Sequence, residues 1–124
     1  MKIRIKNNSI RIRLTRSETE RFGKEKYLEE HTEFDDARFT YAIRSHEDVA
    51  EMTAELSNNK IMMHIPAARA TAFVSTDAIG IQNDVRLANG NKLFLLLEKD
   101  LKCIDGEVLE DQSDNYENPA AICK

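Results

Sequence analysis

No tryptophan occurs in these 124 residues, and aromatic side chains make up only 6% of them. A core built from this sequence is therefore aliphatic, assembled from Ile, Leu, Val, Met and Ala. Cysteine is as scarce: Cys103 and Cys123 alone cannot make a disulfide framework. Their spacing also lacks the close C-x2-C pairs of structural zinc sites. They read as ordinary thiols, with a bridge pinning the tail, or a site shared with His31, His46 or His64, as second readings. Long apolar runs are missing too. The longest, Leu93 to Leu97, is far too short to span a bilayer. Met1 leads directly into alternating charge, with no apolar leader. The expectation is a soluble cytoplasmic protein that makes no use of a membrane. P-loop, GxGxxG and HExxH patterns are absent as well, so no catalytic residue and no cofactor is assigned.

What is present is charge, unevenly placed. The formal net charge is −4, yet residues 1–16 carry six bases and no acid. Residues 105–124 carry six acids (Asp105, Glu107, Glu110, Asp111, Asp114, Glu117) against Lys124, a formal −5, which leaves +1 for residues 1–104. Basic opening and acidic tail attract each other or compete for one ligand. The even balance elsewhere argues against a dedicated nucleic-acid binder.

The opening KIRIKNNSIRIRL alternates strictly. Ile3 and Ile5 point one way and Lys2, Arg4 and Lys6 the other; beyond the turn Asn7-Asn8-Ser9, Ile10, Ile12 and Leu14 alternate with Arg11 and Arg13. Period-two patterning across a short polar turn predicts a hairpin. Thr15-Arg16-Ser17-Glu18 has the form of a capping box. A short helix to about Phe22 follows, with Gly23 as its C-cap. Lys26 to Phe34 and Arg38 to Arg44, joined at Asp35-Asp36, predict a second hairpin. The unit reads ββαββ.

The unit then recurs. SNNKIMMHIPAARATAF (57–73) lies against KNNSIRIRLTRSETERF (6–22) at a constant offset of 51. Ile10, Ile12 and Leu14 meet Ile61, Met63 and Ile65. Pro66 stands where Thr15 does, and proline suits the first turn of a helix. Ile79 to Leu87 reads as a strand, Asn89-Gly90-Asn91 as a turn, and Lys92 to Glu98 as the returning strand. RFTYAIR and KLFLLLE correspond at offset 54. Such a period calls for an internal repeat. Ser45 to Leu56 has helical spacing as well, but the repeat makes Glu51 to Leu56 a strand matching Met1 to Ile5. The domain is residues 1–104, with halves at about 1–45 and 51–100; residues 105–124 form an acidic C-terminal arm.

Two architectures suit eight strands and two helices. In one, two four-stranded sheets turn charged faces to water. In the other, the strands form an eight-stranded barrel-like sheet, large enough for one small ligand. Helices on the outside then turn the polar rows inward. The fold class taken forward is the second: α+β, internally duplicated ββαββ units, mostly antiparallel, barrel-like, with two short helices outside. Its expected ligand-binding residues are Lys2, Arg4, Lys6, Arg11, Arg13, Arg38, Arg44, Lys60 and Arg86. Thr40, His64 and Lys92 lie beside them, with Glu51, Glu55, Asp84 and Glu98 as acids. Arginine grips phosphate oxygens in a bidentate fork and lysine adds point charge. Such a lining suits a phosphate-bearing small molecule, with Mg2+ or Mn2+ held by the carboxylates. The competing reading is a non-catalytic interaction or structural module with a solvated charged face. An exposed edge strand in either half could also pair two copies into a homodimer.

Over residues 1–100 this topology resembles that of the triphosphate tunnel (CYTH) superfamily, whose duplicated halves form an eight-stranded charged tunnel. The first strand here reads Lys2-x-Arg4-x-Lys6 where that superfamily has Glu-x-Glu-x-Lys, so its metal-binding glutamates have no counterpart and no catalytic residue is carried over. Across the full length, MKIRIKNNSIRIRLTRSE, FTYAIRS, LLLEKDLKC and EDQSDNYENP are similar to an uncharacterised family of small bacterial (Bacteroidetes-type) proteins. That resemblance implies a bacterial, cytosolic, single-domain protein without an assigned activity. Asp111 to Asn115 lacks the glycine and terminal glutamate of a calcium loop and reads as a turn-rich loop. His64, among Met62, Met63 and Ile65, reads as a satisfied strand histidine.

Overall fold

A computed structural model describes residues 1–101 and Tyr116. Its elements run β1 (Lys2–Lys6), β2 (Ser9–Leu14), α1 (Arg16–Glu25), β3 (Tyr27–Glu33), β4 (Arg38–His46), β5 (Thr53–Ser57), β6 (Lys60–Pro66), α2 (Ala67–Ser75), β7 (Gly80–Arg86) and β8 (Lys92–Lys99). The α+β class stands. The expectations for Cys103, Cys123, the loop at Asp111 and the arm 105–124 lie outside the described residues.

Local chemistry sets the elements. Thr15 accepts from the Glu18 backbone N–H while the Glu18 side chain accepts from the Thr15 N–H, so the capping box forms. α1 does not stop at Phe22, however. It continues to Glu25, and Lys26, not Gly23, takes the left-handed cap conformation at φ 62°. Gly23 serves close approach: a Cβ built there would lie 2.7 Å from Val74 Cγ1 on α2. Pro66 occupies the N-cap of α2 and supplies no side-chain cap. Between β5 and β6, Asn58 and Asn59 both have positive φ, at 52° and 61°, as a type I′ hairpin turn requires.

The strands do not close into one barrel. They form two four-stranded sheets, β1-β2-β8-β7 and β3-β4-β6-β5. Each half-chain gives one hairpin to each sheet. The hairpins meet through parallel central pairs, β2 with β8 and β4 with β6, and every other pairing is antiparallel. A parallel pair needs a long crossover; residues 47–59, with β5, join β4 to β6, and residues 15–91, with both helices, join β2 to β8. Among the described residues the edges are β1, β7, β3 and β5.

Both sheets map onto each other in register. Lys2 opposes Arg13 and Thr53 opposes His64, at offset 51. Ser9 opposes Phe94 and Lys60 opposes Thr40. The Phe94 N–H donates to Asn8 O at 3.0 Å, and the Thr40 N–H to Asn59 O at 3.0 Å.

One core joins the layers. Ile12 and Leu14 (β2), Ile81 (β7) and Leu95 and Leu97 (β8) meet Leu28 (β3), Ile43 (β4) and Met63 and Ile65 (β6), with Phe22 and Phe73 from the helices. Because side chains alternate along a strand, the intervening residues occupy the opposite faces. The charged rows therefore lie on the outside of each sheet, and the helices share the core instead of surrounding a polar tunnel.

Candidate anion-binding face

The outer face of β1-β2-β8-β7 gathers six of the nine basic residues expected at the site. Strict alternation puts Lys2, Arg4 and Lys6 of β1 beside Ser9, Arg11 and Arg13 of β2, and the register sets Arg4 directly opposite Arg11 and Lys2 opposite Arg13. Like charges in directly opposed positions destabilise a hairpin. β8 continues the rows with Lys92, Phe94, Leu96 and Glu98, and β7 with Gln82, Asp84 and Arg86. On this outer face seven cations (Lys2, Arg4, Lys6, Arg11, Arg13, Arg86 and Lys92) stand against Asp84 and Glu98, a formal +5.

Glu98 organises the middle of the face. One oxygen, Oε1, accepts from Nε of both Arg11 and Arg13 at 2.6 Å, and the three side chains are only 16%, 24% and 13% exposed for Arg11, Arg13 and Glu98. A shared, partly buried carboxylate fixes two guanidinium groups in charge-assisted contact. Lys2 Nζ meets Asp100 Oδ2 at 2.8 Å, at the end of β8. Phe94 and Leu96 are half-buried on this face, giving it an apolar strip between the charges.

The corresponding face of β3-β4-β6-β5 is balanced. Arg38, Arg44 and Lys60 share it with Glu29, Glu33 and Glu55. Arg38 pairs with Glu33 at 3.1 Å and His64 Nε2 with Glu55 at 3.2 Å. Lys60 Nζ donates to the Tyr27 hydroxyl at 2.6 Å, and that hydroxyl donates to Glu29. The Tyr27 contact, with Glu29 added, holds the Lys60 ammonium above its ordinary pKa; Tyr27 and then Lys60 hold Glu29 below its own. His64 is satisfied at Nε2 only, since its buried Nδ1 has no hydrogen-bond partner among the described residues.

The nine basic residues expected at one site thus divide. Lys2, Arg4, Lys6, Arg11, Arg13 and Arg86 are brought together; Arg38, Arg44 and Lys60 lie on the other sheet's outer face. Among the described residues no enclosed hollow unites them, because the interior between the sheets is filled by the aliphatic core. A cavity of about 430 Å3 beside the start of α2 includes Arg44 but none of the other eight. Among the described residues, no group of three or more His, Cys, Asp or Glu side chains could hold a metal ion.

Sequence reasoning missed Phe94 and Leu96 on the charged face. Their signal is the unbroken apolar run Leu93–Leu97, since a strand apolar on both sides does not belong at a fully solvated position. It also missed Asp100 as the partner of Lys2.

A family model matches residues 1–120. The chain belongs to a family of unknown function, DUF7009. No curated protein and no solved structure matches it. The likeness to the triphosphate tunnel superfamily thus gains no support from a structural neighbour, and the two separate sheets lack that superfamily's tunnel. No helix among the described residues is long and apolar enough to cross a membrane.

Proposed function

We propose that this chain is a non-catalytic binding module whose basic sheet face, β1-β2-β8-β7, takes an extended phosphate-bearing ligand. The observation that supports it is the contrast between two faces of matching register, one with a formal +5 and one with three cations against three carboxylates. Cations stacked across a hairpin repel one another, and a polyanion relieves that repulsion while its phosphates accept from the Arg and Lys donors. Small-molecule sites are typically concave. A sheet face instead suits a chain of phosphates spread along the rows. We also infer that the two halves descend from one duplicated ββαββ unit, with charge retained on one face and neutralised on the other. The matching registers support this descent.

The test is binding of inorganic triphosphate and longer polyphosphate to the full chain at low ionic strength, read by thermal melting and calorimetry. Ligand at about a hundredfold excess over Kd stabilises a single-site binder by roughly 2.7 kcal/mol. The affinity should fall steeply with added salt. The R4Q/K6Q double variant should lose most of the shift. Equal shifts in the double variant and the parent, or none at millimolar polyphosphate, would remove this face as the site.

A further inference from the structure

We propose that the acidic segment 105–124 is an intrachain competitor for the basic face of β1-β2-β8-β7, so that the chain carries its own regulator of anion binding. The inference rests on the anion-binding reading of that face and extends it to how access is controlled. Three observations carry it.

The first is charge. The segment is a formal −5 and the outward rows of the face a formal +5, whereas the equivalent face of the other sheet carries no surplus to attract it. The second is where the chain leaves the sheet. β8 runs between β2 and β7, and at its end the Asp100 N–H donates to Leu14 O at 2.8 Å while its carboxylate meets Lys2 at 2.8 Å. The last described acid before the segment already sits on a cation of this face. The third is reach. Strands lie roughly 4.8 Å apart, so four strands span about 15 Å, and an extended chain covers about 3.4 Å per residue. The few residues between Asp100 and Asp105 therefore suffice to return the first acids to the rows.

A tethered anion acts at an effective concentration in the millimolar range when its linker is short. An external polyanion must displace it, so apparent affinity falls by the ratio of covered to open face. The competitor acts by occupancy of the same cations, not by a change in the fold.

The experiment compares chains carrying all 124 residues. In one, D105N, E107Q, E110Q, D111N, D114N and E117Q neutralise the segment. In a control, E20Q, D35N, D36N, E47Q, E51Q and D77N neutralise six exposed acids elsewhere, giving the same formal net charge. The probe is inorganic polyphosphate at low ionic strength, with Kd from calorimetry. The segment variant should bind about tenfold tighter than both the parent and the control. Equal tightening in segment variant and control would show a net-charge effect alone and overturn the competitor. Binding by all three with unchanged Kd would overturn it as well, leaving the face as a binding site. No binding by any of the three overturns the reading of the face itself.

Discussion

Gly23 shows how one residue can be legible for the wrong reason. A glycine near a helix end reads as a C-cap, yet the left-handed cap falls to Lys26, and Gly23 is a helical residue under Val74. Two effects oppose each other in Gly23→Ala. Helix propensity favours alanine by roughly 1 kcal/mol. The added methyl, 2.7 Å from Val74 Cγ1, meets a branched side chain with little freedom, and overpacking of this kind costs about 1–3 kcal/mol. The net expectation is a loss of up to about 2 kcal/mol in urea unfolding, most of it recovered in the G23A/V74A double variant. An alanine variant more stable than the parent by about 1 kcal/mol would show that the helices part without penalty. The residues of the basic face were readable singly, because alternation places Lys2, Arg4, Lys6, Arg11 and Arg13 on one side. The bridge from Glu98 to both arginines was not, because it depends on which strand lies beside β2.

At the scale of elements, the start of β1 is a junction. The Met1 ammonium contacts Glu18 of α1 and Glu30 of β3, the latter at 3.0 Å, and the Tyr41 hydroxyl donates to Met1 O at 3.2 Å. Burial pulls the ammonium pKa down, but the hydrogen bonds and charges of Glu18 and Glu30 outweigh it and hold it above the ordinary α-amino value. Glu18 is pushed up by burial and, more strongly, held below its ordinary value by the ammonium and the Thr15 N–H. The linkage has two limbs. Stability from Glu18 is present above the ordinary carboxylate range and lost as pH falls through its lowered folded pKa. Stability from Met1 is full below the ordinary α-amino pKa and lost as pH rises through its raised folded pKa. Urea midpoints measured between about pH 3 and pH 10 should therefore show a plateau with two falling sides. Glu18→Gln should flatten the acid side and shrink the alkaline one, since Glu30 remains. Unchanged limbs in that variant would remove the junction as their source. Thr15 and Glu18 were readable as a cap; that the same glutamate also holds the chain's first residue requires β1 to lie beside α1.

The whole molecule is two mixed sheets around one aliphatic core, and its sheets are tied at equivalent places. Asn83 Nδ2 of β7 donates to Met52 O, just before β5, at 2.9 Å, as Glu30 of β3 meets Met1 just before β1. Asn83→Ala should lower stability by about 1 kcal/mol, the ordinary net value of one hydrogen bond, and urea unfolding would detect it; no loss would mean the sheets are held by the core alone. Most strand positions, turn chemistry, the capping box and the aliphatic core were fixed by local pattern, because alternation and turn preferences act between near neighbours in sequence; β5 (Thr53–Ser57) was readable only through its match to β1, since its own spacing also suits a helix. Partner choice was not. Period-two patterning says that a strand has a polar and an apolar side, but is silent on whether the polar sides converge on a tunnel or face outward from two sheets. That was decided when the β1-β2 hairpin paired with β7-β8 instead of with β3-β4, bringing the apolar faces of both sheets onto Phe22 and Phe73. Burying those faces together lowers the free energy more than enclosing the charged rows could, so the charged rows went outside.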